Sequence, residues 1–166
     1  MEVYHGSLKI VEKPNIDILN FRTDFGKGFY TTTDLEQARR WTRIKRERAE
    51  KEEIPTRYSQ YVNVYEYIEN SNLHILKFHE ATEEWLDFVF ENRNSNHLLH
   101  HYDIVVGPVA NDNLYATLRL YERNYISKKE TIKTLKTYKL NNQISFHTEQ
   151  ALKTIHFLKA EEVPYE

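Results

Sequence analysis

The 166-residue chain has no cysteine, which excludes disulfide scaffolds, thiolate metal centres and cysteine nucleophiles. It has no apolar run of about 18 residues that could span a bilayer, and its start lacks the basic and apolar pattern of a secretory signal. We therefore expect a cytoplasmic protein without membrane contacts. Lys and Arg total 23 and Asp and Glu total 25, a net charge of −2, so any nucleic-acid-binding surface must be local.

Glycine is scarce, at four residues, whereas average usage is about 7%. The four are Gly6, Gly26, Gly28 and Gly107. A chain that uses so little glycine is expected to place it where a Cβ is not tolerated. Gly6 and the pair Gly26/Gly28 therefore predict close backbone approaches. His5 offers a hydrogen bond beside the first, and Tyr30 offers a stacking face beside the second.

The apolar and β-branched pattern predicts strands and helices without a regular βαβ alternation. Strands are predicted over 2–5, 28–33, 58–68, 73–78, 104–106, 143–147 and 155–160. Helices are predicted from Asp34 to about Glu53, from Thr82 to the polar loop 92–96, over 114–121, from Ser127 to about Tyr138, and for one turn from Thr148. Residues 8–27 predict a long loop. No repeat is present, so we expect one domain over residues 1–166.

Common signatures for phosphate loops, dinucleotide-binding folds, zinc proteases and serine hydrolases are absent. His97, His100 and His101 cluster in a polar stretch, but a solvated loop is favoured over a ligand set, and we predict no metal site. A basic segment runs from Arg119 to Lys139. Such a stripe is usually a solvated helix face; the alternative is a track for a nucleic-acid acceptor.

Three segments together resemble the ADP-ribosyltransferase superfamily, in the group whose signature is a His, a Tyr and a Glu on three strands. Val3-Tyr4-His5-Gly6-Ser7 resembles its His-Gly-Ser motif, and Gly26-Lys27-Gly28-Phe29-Tyr30 resembles the Gly-Lys-Gly-x-Tyr motif of poly(ADP-ribose) polymerase catalytic domains. Asn141-Asn142-Gln143 resembles the third motif, with Gln143 in place of the glutamate. The chain also resembles an uncharacterised bacterial branch that includes toxins with cognate antitoxins.

The resemblance implies an α+β fold with a split antiparallel β core in two small sheets, flanking helices and an NAD cleft. It implies catalytic roles for His5, Tyr30 and Gln143. His5 would bond the adenosine-side ribose, the Gly6 backbone would hold the nicotinamide carboxamide, and Tyr30 would stack on the ring. Further NAD contacts would come from Ser7, Arg22, Gly28 and Trp41. Taken alone, Trp41 lies on the apolar line of its helix and fits a core position as well.

Glutamine at position 143 keeps a carbonyl acceptor but lacks the charge of glutamate. Removing one aimed polar group lowers rates on the order of 100- to 1000-fold. On a strand that begins at Gln143, Ser145 and His147 share one face, while Ile144 and Phe146 face the core. The candidates for a replacement base are His147, Glu149 and Asp112, with Ser145 as an accessory residue.

The expected function is mono-ADP-ribosyl transfer from NAD, consumed as substrate, to a nucleic acid or protein, in a toxin or defence effector. One alternative is a module that keeps the cleft without turnover and acts as an NAD-binding or nucleic-acid-binding regulator. Another is an NAD glycohydrolase, with water as the nucleophile. Gln143→Glu discriminates the first alternative, because it should create activity if only the carboxylate is missing.

Overall fold

The computed structural model describes residues 1–16, 23–53, 59–109, 112–135 and 142–164. This part of the chain contains seven strands and five helices, which confirms the mixed α+β class. The strands are β1 (Glu2–Ser7), β2 (Phe29–Thr32), β3 (Gln60–Tyr67), β4 (Ile75–Lys77), β5 (Ile104–Pro108), β6 (Asn142–Phe146) and β7 (Ile155–Val163). The helices are α1 (Leu35–Lys51), α2 (Glu83–Arg93), α3 (Asp112–Glu122), α4 (Lys128–Leu135) and α5 (Glu149–Leu152).

The strands form one sheet in the order β4-β5-β6-β2-β1-β3-β7, antiparallel throughout except for the parallel pair β4/β5. The expectation of two separate small sheets is therefore wrong for the described strands. The backbone pair Tyr4–Thr32 joins the two halves, and it is the one register pair between β1 and β2 in the described chain. By contrast, β1 pairs with β3 along its whole length, from Glu2 to Ser7. The sheet is thus continuous but weakly paired at its centre.

Capping residues fix where the helices begin, as the sequence predicts. The Asp34 carboxylate accepts from the backbone N–H groups of Glu36 at 2.8 Å and Gln37 at 3.2 Å. Ser127 accepts from the Glu130 N–H at 3.1 Å, which confirms it as the N-cap. The Glu130 carboxylate accepts from the Ser127 hydroxyl at 3.2 Å, in place of the backbone N–H that the predicted capping box uses. The end predicted for that helix, near Tyr138, lies outside the described residues.

The core occupies both faces of the sheet. One cluster contains Phe29, Ile144 and Phe146, while Tyr30 packs against a second cluster around Phe25. Register pairs Tyr30 with Ser145 and Thr32 with Gln143. Because cross-strand partners share a face, Tyr30, Gln143 and Ser145 lie opposite the Phe29 cluster, which confirms the predicted alternation along β6.

None of the described helices has the length and apolar composition needed to cross a membrane.

Candidate functional site

His5 bridges β1 and β2 just beyond their single backbone pair. Its Nδ1 lies 2.7 Å from the Tyr30 carbonyl oxygen, and its ring packs on Phe29 with centroids 4.2 Å apart. A carbonyl only accepts, so Nδ1 carries the proton and Nε2 carries the lone pair. Burial, helped by the Lys45 ammonium, holds the pKa of His5 well below its usual 6.5, against the opposing effect of the Tyr30 carbonyl. His5 is therefore a neutral ring whose Nε2 is a hydrogen-bond acceptor.

Gly6 lies against the backbone of helix α1. A Cβ at this position would overlap the Ala38 carbonyl oxygen and approach the Trp41 Cβ to 3.1 Å, so the predicted close approach is confirmed. Trp41 is half-buried beside it. The contact explains why β1 carries glycine at the point where the helix crosses it.

Lys45 is a neighbour of this position that the sequence reading missed. Its Nζ donates to the Gly6 carbonyl oxygen at 2.5 Å, and burial lowers the pKa of its ammonium to about 8. Lys45 follows Trp41 by four residues, so both lie on one face of α1, and this spacing was the signal available in the sequence. A cation is thus placed at the backbone acceptor of Gly6.

Asn63, in β3, fixes the chain that follows β1 and was also missed. Its Nδ2 donates to the carbonyls of His5 at 3.3 Å and Lys9 at 3.2 Å, and its Oδ1 accepts from the Val11 N–H at 2.8 Å. Ser7, at the end of β1, is buried, and its hydroxyl accepts from the Lys9 N–H at 3.4 Å. Arg22, another of the expected NAD contacts, lies outside the described residues.

Tyr30 supports the turn formed by Asp24–Gly28, which we call the Gly-Lys-Gly loop. Its hydroxyl accepts from the Phe25 N–H at 3.0 Å and lies 2.9 Å from the Thr23 hydroxyl, with the Gly26 carbonyl as a further partner. Burial raises the pKa of Tyr30. The hydroxyl is therefore engaged in holding the loop, and the half-buried ring is the part that could contact a ligand.

Two buried histidines hold the other side of this loop. His100 Nε2 and His147 Nδ1 donate to the carbonyls of Phe25 and Lys27, both at 2.7 Å. Their rings meet edge to face, with centroids 4.6 Å apart. Burial lowers the pKa of both rings from 6.5, that of His147 to about 4. Both are therefore neutral near pH 7, and His100 Nδ1 accepts from the Tyr102 N–H at 3.1 Å.

The candidate base at His147 is occupied by these contacts. Its Nε2 accepts from the Ser145 hydroxyl at 2.7 Å, and Ser145 is fully buried. A Cβ at Gly28 would lie 2.7 Å from His147 Nδ1, which confirms the close approach predicted for that glycine. This geometry favours a structural role for Ser145 and His147. Asp112 begins α3, but its side chain lies outside the described part of the chain.

Gln143 lies beside a carboxylate. Its Nε2 donates to Asp24 Oδ2 at 2.9 Å and to the Pro108 carbonyl at 3.4 Å. Gln143 is 3% exposed and Asp24 is 7% exposed, and Arg93 NH1 lies 3.9 Å from Asp24 Oδ1. Asp24 is two residues before Gly26, and this proximity to the second motif was the sequence signal that was missed.

The fold therefore brings the three principal candidates to neighbouring strands. His5 is on β1, Tyr30 on β2 and Gln143 on β6, and β2 lies between the other two. Backbone register runs from Tyr4 to Thr32 to Gln143, so Gln143 lies level with the residue that precedes His5. Adjacent strands are about 4.8 Å apart, so the three positions are close along the backbone. Tyr30 and Gln143 lie on one face of the sheet, and the His5 ring packs against Phe29 on the other face, at the weakly paired centre. The described residues contain no group of three or more His, Asp or Glu suited to a metal ion.

Comparison with protein families gives one finding. A family described as a protein of unknown function (DUF3990) matches residues 1–157. Comparisons with the curated proteins and with solved structures gave no significant match.

Proposed function

The chain belongs to the DUF3990 family, whose function is unknown, and we propose from its own residues that it transfers a single ADP-ribosyl group from NAD to a nucleic acid or protein. The observation that carries this proposal is the bridge between His5 and Tyr30 at the weakly paired centre of the sheet. It leaves His5 Nε2 as an acceptor next to the Gly6 backbone. The finer assignment, an ADP-ribosyltransferase-type fold with an NAD cleft at the weakly paired centre of the single sheet, is part of the same proposal.

The chemistry requires a site that holds the ribose and the nicotinamide separately. The glycosidic C–N bond breaks with its electron pair leaving on nicotinamide, and an acceptor O–H or N–H attacks the oxocarbenium-like carbon and releases its proton. Because the cation exists only briefly, positioning and aimed dipoles supply most of the rate enhancement. Residues for both tasks are present on β1, β2 and β6.

Each residue has a role in this scheme. His5 Nε2 accepts from a ribose hydroxyl, the Gly6 backbone binds the carboxamide, and the Tyr30 ring stacks on nicotinamide. Trp41, half-buried beside Gly6, offers a second aromatic surface. Lys45 already donates to the Gly6 carbonyl, which has two lone pairs, so carboxamide binding there shares that oxygen with Lys45 or displaces it.

The test is incubation of the purified protein with NAD labelled in the ADP-ribose part and with separate protein, RNA and DNA pools. We expect label on one pool and release of free nicotinamide. Because His5→Ala removes the ribose acceptor and Tyr30→Ala removes the stacking surface, each should lower the rate by about 100-fold or more. His156→Ala is the matched control, since His156 is exposed on β7, and it should keep the wild-type rate.

The products decide between this proposal and its alternatives. Free nicotinamide without labelled acceptor would identify a glycohydrolase. NAD binding without turnover would identify a regulatory module, and an absence of both would refute the NAD site. The toxin setting and the cognate antitoxin stay predictions from the sequence resemblance.

A further inference from the structure

The side-chain amide of Gln143 has a fixed orientation. Within the part of the chain that the structure describes, its nitrogen donates to the Asp24 carboxylate, at 2.9 Å, and to the Pro108 carbonyl, at 3.4 Å. An ionised carboxylate and a carbonyl are both acceptors, so the amide must present its NH₂ to them and turn Oε1 away. Among the described residues, Oε1 accepts no hydrogen bond.

We propose that Asp24 is a positioning residue, and that it and Gln143 form a pair built to hold one negative charge. This inference rests on the proposed function for its catalytic part. The carboxylate fixes the Gln143 amide and draws its N–H toward Asp24, which strengthens Oε1 as an acceptor in a buried, low-dielectric setting. Gln143 Oε1 then contacts the ribose, while Asp24 acts through the amide.

The pair explains why position 143 holds glutamine, whereas the ADP-ribosyltransferase motif that this segment resembles has glutamate. A glutamate at position 143 would place a second carboxylate next to Asp24, with both groups buried. The Arg93 guanidinium, with NH1 3.9 Å from Asp24 Oδ1, offsets one negative charge, and a second carboxylate at hydrogen-bonding distance would share a proton with the first. Gln143→Glu should therefore impair the protein near neutral pH, in contrast to the gain expected from sequence for a module that lacks only the carboxylate.

A charge exchange between the two positions tests this arrangement in the full chain. The variants are Asp24→Asn, Gln143→Glu and the double variant Asp24→Asn/Gln143→Glu, which returns one amide and one carboxylate. Nicotinamide release from NAD gives kcat, and equilibrium titration with NAD gives Kd. Gln150→Glu, on the exposed face of α5, is the control for adding a carboxylate elsewhere.

We expect Asp24→Asn to lower kcat about tenfold or more while Kd for NAD changes less than about threefold. Gln143→Glu should be slower than wild type at pH 8 and should recover as the pH falls toward 5. The double variant should exceed both single variants at pH 8 and lose this pH dependence. Wild-type kcat in Asp24→Asn, or a Gln143→Glu variant faster than wild type at pH 8, would overturn the proposal.

A second readout does not depend on NAD turnover. In Gln143→Glu the folded pair holds a proton that the unfolded chain releases, so the thermal midpoint, taken as the difference from wild type at the same pH, should fall as pH rises from 5 to 8. The double variant and Gln150→Glu should follow the wild-type profile. A Gln143→Glu profile that matches wild type would refute the pair, whereas a wild-type protein without NAD turnover would refute only the proposed function.

Discussion

Gly6 is the residue with the least room for change in the candidate site. The Ala38 carbonyl occupies the space that a Cβ would need, and this atom belongs to the backbone of α1. A backbone atom of a helix can move aside much less than the end of a flexible side chain can. The position therefore couples the seating of α1 on β1 to the geometry of His5 and of the Gly6 carbonyl.

Gly6→Ala should separate the helix from the strand and lower the free energy of unfolding by about 2–3 kcal/mol, as overpacking does. Urea denaturation measures this loss, and NAD binding should weaken with it. Ala160→Ser, at a half-buried position in β7, is a control that should change stability by less than about 0.5 kcal/mol. A fully stable Gly6→Ala protein would contradict the close approach.

Local chemistry made some site residues predictable and left others hidden. Gly6 and Gly28 could be identified because glycine in this sequence is rare and adjacent to His5 and Tyr30. Asp24 and Lys45 had only an indirect local signal, their distance from Gly26 and from Trp41, because their partners lie 119 and 39 residues away. Pairings at that separation depend on the assembled sheet, which no local pattern encodes.

At the level of elements, β3 stabilises the segment that follows β1 through the fully buried Asn63. Its amide makes three hydrogen bonds, to His5, Lys9 and Val11, and so closes the turn that leaves the site. Removing a partner from buried backbone groups leaves their desolvation uncompensated. The end of β1 therefore depends on a side chain of its neighbour.

Asn63→Ala should lower the free energy of unfolding by about 2–4 kcal/mol, because buried carbonyl and N–H groups lose their partners. Equilibrium urea denaturation measures the change. Asn70→Ala is the matched control: the Asn70 side chain caps an exposed turn by accepting from the Asn72 N–H at 3.0 Å, and its loss should cost under about 1 kcal/mol. Equal losses in the two variants would show that the buried Asn63 amide contributes no more to the free energy of unfolding than the exposed Asn70 amide does.

Elements were more predictable than their arrangement. The caps at Asp34, Thr82 and Ser127 and the alternation along β6 are local signals, and each predicted the element that is present. The order of the strands was not predictable in the same way. Two separate sheets were expected, and the single pair Tyr4–Thr32 that joins the halves depends on long-range register.

For the whole molecule, neutral histidines are a shared feature of the site and its support. His5 joins β1 to β2, and His100 and His147 hold the Gly-Lys-Gly loop against β6. All three are buried, and burial lowers the pKa of each. Protonating any of them places a charge in the interior, so the folded state as a whole is sensitive to acid.

The sign of that effect follows from the two states of His147. Its pKa is about 4 in the folded protein and 6.5 in the unfolded chain, so between these values the unfolded chain binds more protons. The corresponding stability is fully present above pH 6.5 and is lost as pH falls toward 4, by about 3 kcal/mol from this residue alone. Urea midpoints measured from pH 7 to pH 4 should therefore decline steeply.

His147→Gln, which keeps a donor for Lys27 but cannot titrate, should show a shallower decline, while His156→Ala, at an exposed position, should match wild type. An equally steep decline in His147→Gln would place the acid sensitivity elsewhere, whereas a shallow one would tie the loop beneath Tyr30 directly to the stability of the whole fold.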